Sequence, residues 1–196
     1  MDIYREISKY LHSDGTVNVL IAGQTCSGKT TLANKLRNCF SDEYSVTIVS
    51  QDDYFKNIDD IPYNRAGFLM ESPDAFHVSE FRQDVETLLC DSVVYMPNYD
   101  IKTNTRIDKQ KVVNVGQLNI FEGLHVISLL DLPNCLQVYL DTPPTICLER
   151  RIARDTKLLK VCETQVRNYW YDCIQPTSEK FIYPQMEKAD ILLWRW

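Results

Sequence analysis

Short apolar runs alternate with amphipathic segments along the whole chain. Residues 17–22 (VNVLIA) are almost continuously apolar, as expected for a strand that is buried on both faces of a parallel sheet. Ile3, Ile7 and Leu11 recur four residues apart and predict an amphipathic helix over 2–12. The remaining pattern predicts strands at 45–50, 111–115, 118–121, 135–140 and 189–193, and helices at 29–39, 79–90 and 144–155. Strands that alternate with helices predict an α/β fold with a parallel sheet covered on both faces.

One connection is too long for an ordinary loop, because residues 51–78 are polar, aromatic and irregular. Connections of this length are usually functional. In parallel α/β sheets, ligands bind at the carboxyl ends of the strands. The polar residues that directly follow the predicted strands are therefore the candidates for chemistry.

Composition narrows the class of protein. The 196 residues, 44% of them hydrophobic, suit one domain spanning 1–196. A formal net charge of −6 argues against sequence-independent binding of nucleic acid, and no apolar run approaches the ~20 residues of a membrane span. The amino terminus lacks the apolar core of a secretory signal, and the seven cysteines, without C-x-x-C spacing, favour reduced thiols. We expect a cytoplasmic protein with no nucleic-acid or membrane partner; a homo-oligomer is left open.

The first strand ends in a glycine-rich segment, GQTCSGKT, that matches G-x-x-x-x-G-K-[ST] between a strand and a helix. Glycines permit a positive φ, and successive N–H groups at a helix N-terminus attract a phosphate. The lysine adds a charge toward the β- and γ-phosphates, and the threonine that follows can ligate Mg²⁺. This P-loop predicts a site for a nucleoside triphosphate. The residues predicted to bind the nucleotide are Gly23, Gln24, Thr25, Cys26, Ser27, Gly28, Lys29, Thr30 and Thr31.

Acids follow two further strands. The second strand ends in Asp52 and Asp53, beside the first strand if the winding is regular. Since successive strand residues point opposite ways, only one of this pair can readily face the phosphates. We assign Asp52 as the catalytic base, which takes the proton of an acceptor hydroxyl near Mg²⁺, and Glu122 as a second acid for the metal. The alternatives are an acid pair that caps a loop and, at 122, an acid that caps a helix.

A basic segment stands out late in this acidic chain. Arg150 and Arg154 are four residues apart, and Arg151 and Arg154 are three apart, so each pair shares a helix face. Arginine at such a place stabilises charge on a phosphoryl group during transfer, and we assign this role to Arg151 and Arg154 beside Lys29. The alternative is a set of solvated arginines that pair with Glu149 and Asp155.

Seven segments, in order, resemble the uridine kinase and phosphoribulokinase family of P-loop kinases. They are GQTCSGKTTLA at 23–33, SQDDYF at 50–55, ESPDAF at 71–76, PNYDIKTNTR at 97–106, FEGLHV at 121–126, VYLDTPPTICLERRIARD at 138–155 and FIYPQMEKADILL at 181–193. The resemblance implies a P-loop NTPase-type parallel sheet of about five strands flanked by helices, with a small helical lid at about 150–170. It also implies Mg²⁺-dependent transfer of the ATP γ-phosphoryl group to the 5′-hydroxyl of a nucleoside, with uridine or cytidine expected.

By position, the resemblance implies roles for individual residues. Asp52 corresponds to the catalytic aspartate, Glu122 to a metal-associated glutamate, and Arg151 and Arg154 to lid arginines near the phosphates. On the acceptor side, Tyr99 corresponds to a tyrosine beside the base, Glu71 to an aspartate that grips the ribose hydroxyls, and Asn104 to a histidine that reads the base. Phe55 completes the substrate-binding set. The family's R-G-R segment in the lid is absent, and 156–160 reads TKLLK.

Two alternatives remain open. The segments GQTCSGKTTLA and SQDDYFKNIDDIPYNRAGFL also resemble nicotinamide riboside kinases, a likeness that fades after about residue 80. The second alternative, suggested by the altered lid, is a non-catalytic module that only binds a nucleotide. Retention of Lys29, Asp52 and Glu122 argues against it.

Overall fold

A computed structural model describes residues 2–194, and a five-stranded parallel sheet forms its centre. The strands are β1 (Val17–Gly23), β2 (Val46–Ser50), β3 (Tyr63–Asn64), β4 (Gly67–Phe68), β5 (Val93–Asp100), β6 (Thr105–Asn114), β7 (Leu118–Glu122), β8 (Cys135–Asp141) and β9 (Ile191–Trp194). The helices are α1 (Ile3–Asp14), α2 (Lys29–Phe40), α3 (Val78–Asp91), α4 (Val126–Leu129), α5 (Pro144–Leu158), α6 (Glu163–Tyr169) and α7 (Gln175–Thr177). This arrangement confirms the predicted α/β class and the main elements to within a few residues.

The order of strands in the main sheet is β2-β7-β1-β8-β9. The expectation that the second strand lies beside the first is therefore wrong, because β7 lies between them and pairs in parallel with both. Ser50 of β2 pairs with Glu122 of β7, and Glu122 pairs with Ile21 of β1. The strand order thus brings the carboxyl ends of β2 and β7 beside the P-loop.

Both faces of the sheet are covered, and β1 is buried along its whole length. Val19 and Ile21 point into a core shared with α1 and α2, whereas Leu20 and Ala22 point into the opposite core with α3. A strand that serves two cores has no polar face, which explains the continuous apolar run. None of the helices described between residues 2 and 194 has the length and apolar character needed to cross a bilayer.

Strands β5 and β6 form an antiparallel hairpin outside the main sheet. The predicted strand at 111–115 is the end of β6, and β5 was not predicted. The ladder shifts register at Pro97: Met96 pairs with Lys111, but Asn98 pairs with Ile107. Proline has no N–H to donate to a ladder, which accounts for an irregularity at this point.

Residues 51–78 are irregular, as predicted, with short 3₁₀ turns and the two-residue strands β3 and β4. The predicted lid region, 150–170, is helical in α5 and α6. The helical path beyond α6 includes π-helical turns at Trp170–Ile174 and Ser178–Ile182, on either side of α7 and its Pro176. Proline cannot supply the amide of a regular helical hydrogen bond, so a change of helix type around it is expected.

Candidate active site

The P-loop curls between β1 and α2 with three residues at positive φ. These are Gly23 at 152°, Cys26 at 58° and Gly28 at 108°. A Cβ at Gly23 would lie 2.8 Å from the Ser27 Oγ and 3.0 Å from the Leu140 carbonyl oxygen. Only glycine fits such a position, so the loop has the tight curl that a phosphate cradle needs.

Lys29 lies at the start of α2 and is buried. Its Nζ donates to the carbonyl oxygens of Gly23 and Gln24, each at 3.0 Å. An ammonium group has three donors, so this pairing leaves a third for a phosphate oxygen. The two carbonyls hold the charge at the phosphate loop, as the motif predicts.

An oxygen-rich cluster joins the P-loop to the ends of β2 and β7. Thr30 Oγ1 and Ser50 Oγ both donate to Glu122 Oε1, each at 3.0 Å, and Glu122 is buried. Hydroxyl and carboxylate oxygens are the ligand types that Mg²⁺ prefers, so this set fits that ion. Sequence analysis missed Ser50, which the β2–β7 register brings opposite Glu122.

The two aspartates after β2 point to different places. Asp52 lines a cavity of about 1080 Å³ together with Lys29, Thr30 and Glu122. Asp53 instead accepts from Lys111 Nζ at 2.6 Å and lies outside that lining. One aspartate of the pair thus faces the cavity, as predicted, but both lie in a 3₁₀ turn after β2, so strand alternation is not the reason.

Asp52 has an unusual electrostatic environment. Asp52 is an exposed residue that opens into the cavity. Partial desolvation of its carboxyl group and the charge of Glu122 raise the pKa of Asp52 to about 7, while Lys29 acts in the opposite direction. A carboxyl with a pKa near neutrality is suited to exchange a proton with a hydroxyl group.

Asp52→Asn is expected to raise the melting temperature of the nucleotide-free protein more at pH 8 than at pH 5. With its pKa at about 7 in the folded state, Asp52 holds a proton that the unfolded chain releases near pH ~4. Wild-type stability therefore falls as the pH rises through that window, and asparagine removes the penalty. Thermal melts with a chelator at the two pH values test this. An equal gain at both would show that the pKa is not raised.

Aromatic and apolar side chains line a further part of the cavity. Phe55 stacks on Phe76 with ring centroids 4.2 Å apart, and Tyr99 lies 5.2 Å from Phe55. The Tyr99 hydroxyl is buried and has no hydrogen-bond partner within residues 2–194. Asn104 lies in the β5–β6 turn with φ of 52° and also lines the cavity. Phe55, Tyr99 and Asn104 therefore all line the cavity that the P-loop also lines.

A buried ion-pair network crosses the cavity. Arg151 Nη1 donates to Glu71 Oε1 at 2.8 Å and to Thr25 Oγ1 at 3.0 Å, and its Nε donates to Asp155 Oδ2 at 3.1 Å. The second carboxylate oxygen of Glu71 is buried and unpaired among the described residues. Arg154 also binds Asp155, but its side chain is 38% exposed. Arg151 thus links Thr25 of the P-loop to Glu71, and the side chain of Arg154 is the more exposed of the two arginines.

His125 contacts the backbone of Glu71. Sequence reasoning gives no catalytic role to His12, His77 or His125. The His125 ring is buried, with Nε2 2.9 Å from the Glu71 carbonyl oxygen, and its backbone N–H donates to Gln51 Oε1 at 2.9 Å. Burial lowers its pKa to about 4, so the ring stays neutral and donates Nε2–H to that carbonyl. His125 holds the Glu71 backbone, a function that a lone histidine in a sequence does not reveal.

Comparison with known proteins identifies the family. The profile of the Phosphoribulokinase / Uridine kinase family matches residues 19–196. The chain belongs to this family. It is 31% identical over 176 residues to a uridine kinase of Lactobacillus helveticus, an alignment that covers 88% of this chain and 83% of that protein. A uridine kinase-like protein 5 of Arabidopsis thaliana is 31% identical over 179 residues, which cover 89% of this chain but 38% of that protein.

Solved structures agree on the fold of this phosphoribulokinase/uridine kinase family member. D-glycerate 3-kinase of Cryptococcus neoformans superposes with a TM-score of 0.61 at 15% identity, covering 89% of this chain and 84% of that one. Family membership makes the chain a P-loop phosphotransferase with an alcohol group as acceptor. This assignment weighs against a non-catalytic binding module.

Proposed function

We propose that this chain is an ATP- and Mg²⁺-dependent nucleoside kinase that phosphorylates the 5′-hydroxyl of uridine or cytidine. One observation carries the proposal: a single cavity is lined by the P-loop, by Asp52, and by the aromatic residues Phe55 and Tyr99. Lys29 of the P-loop and Glu71 line the same cavity as Asp52. A nucleoside kinase needs a phosphate site, a base and an acceptor pocket within one cavity.

The donor half rests on the P-loop and its charges. The backbone N–H groups of residues 23–31 and the N-terminus of α2 hold the phosphates of ATP. Lys29 directs its third N–H toward the β- and γ-phosphate oxygens. Arg154 lines the cavity with a partly exposed side chain, and it stabilises negative charge on the phosphoryl group during transfer.

The metal site consists of Thr30, Glu122 and Asp52. Their hydroxyl and carboxylate oxygens would hold Mg²⁺ directly or through water, and Ser50 orients Glu122 by donating to its Oε1. When bound, Mg²⁺ neutralises charge on the phosphates.

The acceptor site consists of Asp52, Glu71 and the aromatic residues Phe55 and Tyr99, with Asn104. The unpaired Oε2 of Glu71 accepts a hydrogen bond from a ribose hydroxyl, while Phe55, Tyr99 and Asn104 hold the base. Asp52 then accepts the proton of the 5′-hydroxyl as the hydroxyl oxygen attacks the γ-phosphorus, the bond from the γ-phosphorus to the β–γ bridging oxygen breaks, and ADP leaves. Arg151 and the lid region at 150–170 exclude water, which would otherwise compete as acceptor.

The test is release of ADP from Mg²⁺-ATP across a panel of acceptors, with Asp52→Asn as the blank. The panel contains uridine, cytidine, adenosine, nicotinamide riboside, pantothenate and ribulose 5-phosphate. Turnover with uridine or cytidine is the expected result. Turnover with nicotinamide riboside alone would favour the kinase that the N-terminal segments also resemble, and no turnover with any acceptor, despite ATP binding, would favour the binding module.

Asn104→His is expected to change the ratio of kcat/KM between uridine and cytidine by about tenfold, because a lost or gained hydrogen bond to a base edge is worth about 1–2 kcal/mol. The KM for ATP is expected to stay within about twofold, since Asn104 lies in the β5–β6 turn at the acceptor end. Steady-state kinetics with both nucleosides checks this. An unchanged ratio would remove Asn104 from the base pocket.

A further inference from the structure

The β5–β6 hairpin carries two residues of the acceptor pocket but belongs to no larger sheet. Tyr99 lies near the end of β5, and Asn104 lies in the turn that follows it. Because the hairpin forms its own two-stranded sheet, the main sheet does not fix the position of either residue. An isolated hairpin is marginally stable, so side-chain contacts must hold it in place.

Asp53 supplies such contacts from the segment that carries the catalytic aspartate. Its Oδ2 pairs with Lys111 Nζ of β6 at 2.6 Å, and its Oδ1 accepts from the Tyr99 backbone N–H of β5 at 3.4 Å. One carboxylate therefore holds both strands of the hairpin. The Asp53 side chain is only 18% exposed, so solvent screens the contacts less than those of an open surface pair.

The register shift at Pro97 explains how one side chain reaches both strands. Met96 pairs with Lys111 just before the shift, and Tyr99 pairs with Arg106 just after it. Lys109, with φ of 51°, lies in the segment of β6 that bulges opposite Pro97. A bulge bends the bulged strand and re-aims nearby side chains. Here it brings Lys111 and the Tyr99 amide to the same carboxylate.

Further contacts attach the hairpin beyond the turn. The Arg106 backbone N–H donates to Asn57 Oδ1 at 3.4 Å, and the Arg106 side chain pairs with Glu80 of α3. Loss of Asp53 therefore leaves the hairpin attached, but without the hydrogen bond to the Tyr99 amide. The expected consequence is a displaced pocket wall, not an unfolded protein.

We propose that Asp53 is a positioning residue that sets acceptor affinity by holding Tyr99 and Asn104 against the cavity. The proposal rests on the proposed nucleoside kinase function. It gives the two neighbouring aspartates different roles, since Asp52 touches the reacting hydroxyl and Asp53 acts through the hairpin. Acceptor binding and the proton-transfer step are therefore separable by substitution at neighbouring positions.

The test measures three variants: Asp53→Ala, Lys111→Met and the double variant Asp53→Ala/Lys111→Met. The control is Asp60→Asn, which changes an exposed acid of the same long connection. Asp53→Ala is expected to raise the KM for the nucleoside about tenfold and to change kcat and the KM for ATP less than about twofold. Lys111→Met is expected to raise the same KM about threefold, and the double variant to resemble Asp53→Ala, because the two residues share one interaction. Asp60→Asn is expected to match the wild type.

Hydrogen exchange at the Tyr99 amide gives a readout that is independent of turnover. The N–H bond to Asp53 predicts faster exchange in Asp53→Ala than in the wild type or in Asp60→Asn. A lower melting temperature with an unchanged nucleoside KM would overturn the proposal, since Asp53 would then be merely structural. If Asp53→Ala does not fold, Lys111→Met decides by the same criteria.

Failure of the proposed function is distinguishable from failure of this inference. A wild-type chain that phosphorylates no nucleoside would refute the nucleoside kinase proposal. Tyr99 exchange would then judge the role of Asp53 alone, and unchanged exchange in Asp53→Ala would overturn it as well.

Discussion

Asp52→Asn is expected to lower kcat about a thousandfold, because a positioned general base contributes about 10²–10⁴ to the rate. Asparagine keeps the size of the side chain but cannot take a proton from the acceptor hydroxyl. The P-loop contacts of Lys29 are untouched, so ATP binding is expected to stay within about threefold of wild type.

Steady-state kinetics with saturating Mg²⁺-ATP and nucleoside measures this loss directly, and fluorescence titration with a nucleotide analogue measures binding. Asp60→Asn, on the same connection, is the matched control for a lost negative charge. A kcat near the wild-type value would mean that Asp52 is not the base. A loss of nucleotide binding in parallel with kcat would instead mean that Asp52 acts through the metal alone and not as the base.

Arg151→Met is expected to destabilise the protein by about 3 kcal/mol, since removal of one partner from a buried ion pair leaves an uncompensated charge. Arg151 is 11% exposed and Glu71 is 6% exposed, and their Nη1 and Oε1 atoms lie 2.8 Å apart. Methionine fills similar space without a charge. The buried carboxylate of Glu71 is then left without its counter-ion. Turnover is expected to fall as well, because Glu71 loses the group that orients its second oxygen.

Urea unfolding of the nucleotide-free protein tests this, with Arg167→Met as the matched control. Arg167 pairs with Glu163 at 2.7 Å on the exposed surface of α6, where such a pair contributes about 0.5 kcal/mol or less. The double variant Glu71→Gln/Arg151→Met is expected to recover most of the stability, but not the activity. Equal losses in the free energy of unfolding for Arg151→Met and Arg167→Met would show that the Arg151–Glu71 pair contributes no more than an exposed surface pair.

Local patterns predicted the parts of the site that are continuous in the chain. The apolar run before Gly23 and the helix after Lys29 define the P-loop, and both have the predicted form. The acids at 52 and 122 lie at the carboxyl ends of β2 and β7, two strands that the apolar runs predict. These features depend on short-range sequence, so they could be predicted without a structure. The catalytic and binding roles assigned to the residues stay predictions.

Contacts between distant segments could not be predicted in the same way. The insertion of β7 between β1 and β2 depends on how crossovers pack, and no local residue encodes it. Strand β5 was missed because Pro97 interrupts its ladder, and proline argues against a strand. The roles of Asp53 and His125 follow from partners 58 and 54 residues away, Lys111 and Glu71, which a single sequence does not connect.

The central position of β1 has a consequence for the order of folding. Val17 pairs with Leu118 of β7, and Asn18 pairs with Cys135 of β8, so both neighbours of the P-loop strand are synthesised about a hundred residues later. Pairings that are distant in sequence form slowly and leave apolar strands exposed in the meantime. A nascent chain that has not reached Leu118 carries the whole phosphate-binding motif without the strands that flank β1, so the P-loop becomes competent for nucleotide only after segments about a hundred residues further along have been made.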